Sequence, residues 1–243
     1  MNITEKSIIG EIVAEDYRAA SVFKSYGIDF CCTGNRSIAE ACEKKNLNSS
    51  AIVERLKLTL QQTDGKATEY ASWPIDLLAD YIEKKHHRYL EAKTQEIKPF
   101  LQKVVRVHGE YHPELIEIEQ LFLESAGDLV IHMKKEELIL FPFIRKMMQS
   151  VHQSQPVSTP HFGTIENPIS MMKQDHTEEG ERFRKIAALA NNYQPPQDAC
   201  NTFKVTYALL KEFEEDLHLH IHLENNILFP KALNLEKEIH VTV

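Results

Sequence analysis

One eleven-residue frame occurs twice in this chain and strongly restricts what the chain can fold into. The stretches HMKKEELILFP (132–142) and HIHLENNILFP (220–230) both fit H-x-x-x-E-x-x-x-L-F-P. Residues four apart lie on one face of a helix, so each stretch predicts a histidine and a glutamate side by side. A repeated pair of potential metal ligands predicts a symmetric site.

Hydrophobic periodicity extends this frame into long helices. Apolar residues three, four or seven apart predict helices over about 73–107, 112–149, 165–192 and 197–233. Four such helices predict an antiparallel bundle. Pro142 and Pro230 each remove a backbone donor, so we expect them to kink or end their helices. The connection 150–164, rich in Ser, Thr and Pro, predicts an irregular loop.

The first 67 residues predict a small separate module. The stretch IIGEIVAEDYRAASVFKSYG has helical spacing and stops at Gly27, and Ser37 with Glu40 forms a capping-box pattern. Ser50 is expected to open a further helix, and QQTDGKATEYAS to be a linker. We therefore predict an all-α chain with a small helical domain over 1–67 and a four-helix bundle over 68–243.

Residues that bind metals interrupt the apolar faces of the predicted bundle helices. Each half of the bundle has one helix with a histidine and a second helix with a histidine and a glutamate, and the two histidines are 45 residues apart in one half and 44 in the other. This internal repeat predicts an approximately two-fold site. The predicted ligands are His87, His132, Glu136, His176, His220 and Glu224.

The chemistry of this set favours iron. Two carboxylates buried together are costly unless cations neutralise them, which predicts two divalent or trivalent ions. Imidazole with carboxylate suits iron, manganese or zinc, and the bridging glutamates favour iron among them. A single core histidine is more often hydrogen-bonded than metallated, but six residues repeated in register favour a metal site. The Glu-x-x-His spacings at Glu83 and Glu215 lie off the apolar faces and are not predicted to bind.

The remaining histidines and cysteines have weaker signals. His108 is a candidate for hydrogen bonding to a metal ligand, and Cys42 and Cys200 are expected to be structural. For the adjacent Cys31 and Cys32 both interpretations stay open, that of buried structural cysteines and that of reactive thiols. The other histidines without a predicted metal role are His112, His152, His161, His222 and His240.

Composition excludes several classes of partner. The chain has 36 acidic and 28 basic residues, and this acidic balance indicates no basic surface that would bind nucleic acid or anionic lipid. No apolar run approaches the roughly 20 residues of a membrane span, and the N-terminal residues do not resemble a signal peptide. Four cysteines without a disulfide-type spacing predict reduced thiols. We therefore expect a cytoplasmic protein.

Several longer stretches carry a family resemblance. YGIDFCCTGNRSIAEAC, HMKKEELILFP, NPISMMKQDHTEEGE and DLHLHIHLENNILFP resemble the iron–sulfur cluster repair di-iron proteins, the repair of iron centres family, over nearly the whole chain. The resemblance implies a hemerythrin-like bundle that holds two iron ions with oxo and carboxylate bridges. It implies the same six ligands, although His86 stands where the family often has an aromatic residue and competes with His87.

The resemblance also implies a function. It predicts repair of iron–sulfur clusters damaged by nitric oxide or oxidative stress through donation of iron, with the damaged proteins as partners. Nitric oxide or oxygen would be small ligands, and a homodimer is implied. Cys31 and Cys32 become candidates for redox chemistry or iron transfer.

Two other functions remain open from the sequence. The bundle could be a sensor or store that binds oxygen or nitric oxide, or an enzyme of the nitric oxide reductase or peroxide-consuming type. An oxygen carrier has no use for Cys31 and Cys32, so the cysteine pair favours repair.

Overall fold

The computed structural model describes residues 2–61, 68–153 and 156–241, with side chains to residue 239. These residues form helices and no β-strand, with one isolated bridge between Ile8 and Ser37, so the all-α prediction is confirmed. Within the described ranges no helix has the length and apolar character needed to cross a membrane.

The chain forms two compact units, called here the N-terminal unit and the bundle unit. The N-terminal unit comprises Met1–Leu78 with Ile221–Val243, and the bundle unit comprises Ala79–His220. The predicted domain boundary at 67/68 falls at residues 62–67, outside the described residues, and that division stays a prediction.

Four short helices build the first part of the N-terminal unit: α1 (Ile9–Glu15), α2 (Ala19–Ser25), α3 (Ile38–Glu43) and α4 (Ser49–Gln61). Gly27 follows α2 with φ of 63°, a left-handed conformation that lets the amide of Ile28 reach the carbonyl of Phe23 at 2.9 Å. The capping box of Ser37 and Glu40 is confirmed. The cap of α4 is instead Asn48, whose Oδ1 accepts from the amide of Ala51 at 3.1 Å.

Long helical stretches occupy the predicted positions in the remainder of the chain, and three of them contain a π-helical turn. Their bounds are α5 (Ile75–Tyr81), the π turn Ile82–His87 and α6 (Arg88–His108); α7 (Glu114–Lys135), the π turn Glu136–Leu140 and α8 (Phe141–Gln153); α9 (Glu166–Leu189); and α10 (Asn201–Leu223), the π turn Glu224–Leu228 and α11 (Phe229–Val241).

Aromatic contacts hold the bundle together. The Phe213 ring on α10 lies 5.3 Å from that of Phe122 on α7 and 5.5 Å from that of Phe183 on α9, between ring centroids. All three side chains are fully buried. Such contacts supply much of the energy of a helical core, and the predicted bundle is confirmed.

The two prolines of the repeated frame were expected to kink or end their helices, and the structure shows that they do not end them. Pro142 and Pro230 are each the second residue of an α-helix that directly follows a π turn. The wider π turn changes the hydrogen-bond pattern just where proline offers no donor, so the helix continues. Residues 150–153 belong to α8 and not to the predicted loop, whereas residues 156–165 form neither helix nor strand, as predicted for 156–164.

Candidate metal centre

Five of the predicted ligands lie inside the bundle unit, and each comes to the site on a long helix. His87 ends the first π turn, and Glu136 begins the second, four residues after His132 on α7. His176 lies on α9 and His220 on α10. Their exposed fractions do not exceed 3%, so all five are removed from solvent.

Glu136 stands at the centre of these residues. Its Oε2 lies 3.3 Å from Nε2 of His87 and 3.4 Å from Nε2 of His132. Nε2 of His132 lies 3.1 Å from Nε2 of His176. Ligand atoms of His87, Glu136 and His220 lie within 4.8 Å of one another, and so do those of His132, Glu136 and His176. Glu136 is therefore common to two sets, as a bridging carboxylate would be.

The burial of Glu136 calls for a cation. Its side chain is 0% exposed, and neither carboxylate oxygen accepts a hydrogen bond from the described residues. An ionised carboxylate without hydrogen bonds is expensive to bury, and a positive ion among the neighbouring imidazoles removes that cost. The residues present thus fit a metal centre of nitrogen and oxygen ligands.

Outer carboxylates orient two of the imidazoles. Nδ1 of His87 lies 3.0 Å from Oε1 of Glu137, and Nδ1 of His132 lies 3.2 Å from Oδ2 of Asp175. Partial burial opposes ionisation of Glu137, but hydrogen bonds from Lys134 and His87 outweigh it and lower its pKa. The hydrogen bond with His132 lowers the pKa of Asp175. Each carboxylate can accept a hydrogen bond from the Nδ1–H group of its histidine. This leaves Nε2 of each ring as the ligand atom.

Glu224 follows His220 by one helical turn. The helix runs without interruption from α10 through the π turn that Glu224 begins, so the two residues share a helix face. Glu224 is 0% exposed, as the predicted inward direction requires. It belongs to the N-terminal unit, and its role as a ligand is taken up as a proposal below.

Known proteins resemble the chain in both parts. The hemerythrin HHE cation-binding domain matches residues 78–232, and the ScdA N-terminal domain, described as of unknown function, matches residues 5–59. The iron–sulfur cluster repair protein ScdA of Staphylococcus haemolyticus is 33% identical, covering 94% of this chain and 99% of its own length. The iron–sulfur cluster repair protein YtfE of Musicola paradisiaca is 33% identical over 97% of this chain and 100% of its own.

This chain belongs to the ScdA/YtfE family of iron–sulfur cluster repair proteins. The predicted family resemblance is thereby confirmed. A probable iron–sulfur cluster repair protein of Haemophilus influenzae is also 32% identical, over 93% of this chain and 96% of its own length.

In this ScdA/YtfE family member, the first π turn turns two adjacent histidines inward. His86 is 0% exposed, which contradicts its predicted position off the apolar face. Its Nδ1 lies 3.0 Å from Asp216, and its ring stacks on that of His220 at 5.8 Å. A regular α-helix would separate neighbouring residues by about 100°, and the extra residue of the π turn explains why both are buried. Of the two, His87 is the one that lies beside Glu136.

The cysteine pair lies in the loop between α2 and α3. Cys31 is buried and Cys32 is partly exposed, neither forms a disulfide, and 3.7 Å separates their sulfur atoms. Oδ1 of Asp29 accepts from the amides of Cys31 at 3.1 Å and Cys32 at 2.9 Å. The hydrogen bond with Cys32, followed by burial, raises the pKa of the Cys31 thiol well above its ordinary value.

Two predictions at the far end of the bundle are wrong. Nε2 of His108 lies 3.2 Å from Sγ of Cys200, and Cys200 is exposed rather than structural. His108 follows His87 by 21 residues, about 30 Å along the helix, so it cannot bond to the ligand His87. Cys42 is buried, as expected of a structural cysteine.

His222 packs against the cysteine-loop segment through Phe30, a role that was not predicted from the sequence. It is 1% exposed, its Nδ1 lies 2.9 Å from Nδ2 of Asn226, and its ring contacts those of Tyr17 and Phe30. Burial lowers the pKa of His222 to about 3, so the ring is neutral and accepts a hydrogen bond from Asn226. The four-residue spacing of His222 and Asn226, inside the repeated frame, was an available signal.

Proposed function

We propose that the metal centre of this protein holds two iron ions, bridged by Glu136 and Glu224. One ion would be bound by His87 and His220 and the other by His132 and His176. The two ligand sets that share Glu136, and the buried Glu224 one turn after His220, support this arrangement. When bound, iron supplies redox and Lewis-acid chemistry.

The function that this centre supports best is the repair of iron–sulfur clusters damaged by nitric oxide or oxidative stress, with iron donated from the centre. The observation that carries it is the buried carboxylate of Glu136 among imidazoles, without a thiolate among the ligands. Nitrogen and oxygen ligands hold ferrous iron less strongly than the thiolates of a cluster site, so transfer to an apo-cluster is favourable. The relatives named as cluster repair proteins support the same conclusion.

The residues of this chain have defined roles in that transfer. Glu137 and Asp175 keep His87 and His132 turned toward the centre and retain the Nδ1 protons when iron leaves. When iron leaves, Glu136 would be a buried carboxylate without a compensating cation, which favours the uptake of another iron. The partners of such a protein are proteins with damaged clusters; homodimer formation and a cytoplasmic location stay predictions.

The proposal is tested by reactivation of an iron–sulfur hydratase that nitric oxide has inactivated. We expect the iron-loaded protein to restore activity faster than an equal amount of free ferrous iron, and the iron-free protein to restore none. Equal rates for the iron-loaded protein and free iron would contradict donation from the centre.

The gas-binding and reductase alternatives are not favoured, because the relatives that cover the whole chain are named for cluster repair. The Cys31→Ser/Cys32→Ser double variant separates repair from these alternatives when cluster reactivation and nitric oxide binding are both measured. Repair should fall while binding of nitric oxide to the iron-loaded bundle persists. Unchanged repair in this variant would remove the cysteines from the proposed function.

A further inference from the structure

The loop that carries Asp29, Cys31 and Cys32 has the geometry of a second metal site. One ligand atom from each of the three residues lies within 4.8 Å of the others. Sγ of Cys31 lies 3.7 Å from Sγ of Cys32 and 3.4 Å from Oδ1 of Asp29. Two thiolates on one tetrahedral ion, with metal–sulfur bonds of about 2.3 Å, lie about 3.8 Å apart. The two sulfur atoms are therefore already at the separation that a shared ion requires.

The loop is held in this shape by other residues. Asp29 fixes the turn by accepting from the amides of both cysteines. Nδ2 of Asn225 donates to the carbonyl of Cys31 at 3.1 Å, and Nδ2 of Asn226 donates to the carbonyl of Phe30 at 3.1 Å. Preorganised ligands bind an ion with a smaller loss of conformational entropy.

These two asparagines place the loop beside the repeated frame. Asn225 and Asn226 directly follow Glu224 in the same π turn, within the N-terminal unit. The carbonyl of Cys31 thus accepts a hydrogen bond from Asn225, which is next in sequence to the proposed iron ligand Glu224. Although the two segments are far apart in the sequence, an ion at the loop would lie close in space to the helix turn that carries Asn225 and Asn226.

We propose that Asp29, Cys31 and Cys32 form a second, exchangeable site for one divalent transition-metal ion. Two thiolates and one carboxylate suit ferrous iron, cobalt or zinc, and three protein ligands leave a coordination position open for exchange. That the physiological ion is ferrous iron rests on the proposed function, in which the loop would pass iron between the centre and a damaged client.

Binding at this loop is an exchange of protons for a cation. The ion forms two metal–sulfur bonds and one metal–oxygen bond, and the two thiol protons go to solvent, with no change of oxidation state. The partly exposed Cys32 gives the ion access, while the buried Cys31 is protected from solvent. A bound cation deprotonates a thiol that would otherwise keep its proton.

Cobalt(II) is a suitable probe because thiolate ligands give it a strong sulfur-to-cobalt charge-transfer band. Cobalt is titrated under anaerobic, reducing conditions into the full-length, iron-loaded protein, whose bundle ligands are already engaged. We expect one equivalent of cobalt to bind with a thiolate band. The band should be lost in Cys31→Ser and in Cys32→Ser.

The chain offers matched controls for this titration. Cys42→Ser and Cys200→Ser remove thiols elsewhere and should leave the band unchanged. Asp29→Asn keeps an oxygen that accepts from both cysteine amides but removes the negative charge, and it should weaken cobalt binding about tenfold or more. Circular dichroism shows whether each variant is folded.

Three outcomes would overturn the site: no thiolate band in the wild-type protein, a band that persists in both cysteine variants, or an adjacent disulfide as the only product. These results are independent of the repair assay. A protein that repairs clusters without a cobalt band would refute this site alone, and a band without repair would refute the proposed function alone.

Discussion

At the scale of single residues, function depends on which polar groups are buried and what compensates them. Glu136 has no hydrogen bond from the described residues, whereas the buried Glu179 of the same bundle accepts from Ser125 at 2.6 Å and pairs with Arg182. Both glutamates are buried, but only Glu179 has hydrogen-bonding partners among the described residues. This difference supports the proposed role of Glu136 as a metal ligand, whereas Glu179 has the partners of a structural group.

A pH dependence belongs to this scale, at the end of the bundle far from His87. The hydrogen bond with Asp198, and then that with Glu114, raises the pKa of His112 above 6.5 in the folded protein. A histidine whose pKa is higher in the folded protein than in the unfolded chain stabilises the fold. This stabilisation is fully present at pH values below the unfolded-state pKa, and it is lost as pH rises through the folded-state pKa.

We therefore expect His112→Gln to lower the free energy of unfolding more at about pH 5.5 than at about pH 8.5. The difference should be no more than roughly 0.5 kcal/mol, because solvent screens ion pairs near the surface. Urea unfolding at both pH values measures it, with the exposed His152→Gln as control. A larger loss at the higher pH would have the wrong sign.

At the scale of elements, the π turns are the feature that joins fold to function. Each one begins or ends at a proposed ligand: His87, Glu136 and Glu224. The added residue changes the direction of the helix face locally, and in the first π turn it buries His86 as well as His87. The last π turn also supplies Asn225 and Asn226 to the cysteine loop.

The close approach of α1 to this last π turn requires a glycine. The amide of Gly10 donates to the carbonyl of Gly34 at 2.7 Å, and a Cβ on Gly10 would overlap the side-chain oxygen of Asn226. We expect Gly10→Ala to lower the free energy of unfolding by about 1–3 kcal/mol through overpacking.

Gly127 provides the matched control for that substitution. It lies within α7, and a Cβ there would meet nothing within 4 Å. Gly127→Ala should raise the free energy of unfolding by about 0.5–1 kcal/mol through reduced chain entropy. Chemical denaturation of the two variants in parallel checks both signs. A neutral Gly10→Ala would mean that Asn226 can move away from its partners at little cost.

At the scale of the whole molecule, the repeated frame made most of the architecture predictable. Its histidines and glutamates lie on helix faces that are marked by regularly spaced apolar residues. The bundle and the inward residues could therefore be predicted from spacing alone. The π turns could not, because one added residue leaves hardly any trace in a hydrophobic pattern. The burial of His86 and the asparagine contacts with the cysteine loop were missed for that reason.

The central claim is that Glu136 is held at the middle of a di-iron centre. The most direct measurement is the iron content per chain, with the near-ultraviolet absorption of the protein, for the wild type, Glu136→Gln and Glu179→Gln after equal iron loading. We predict about two irons in the wild type and in Glu179→Gln, and loss of iron and of its absorption in Glu136→Gln. A wild type without iron, or a Glu136→Gln variant that keeps both ions, would contradict the account.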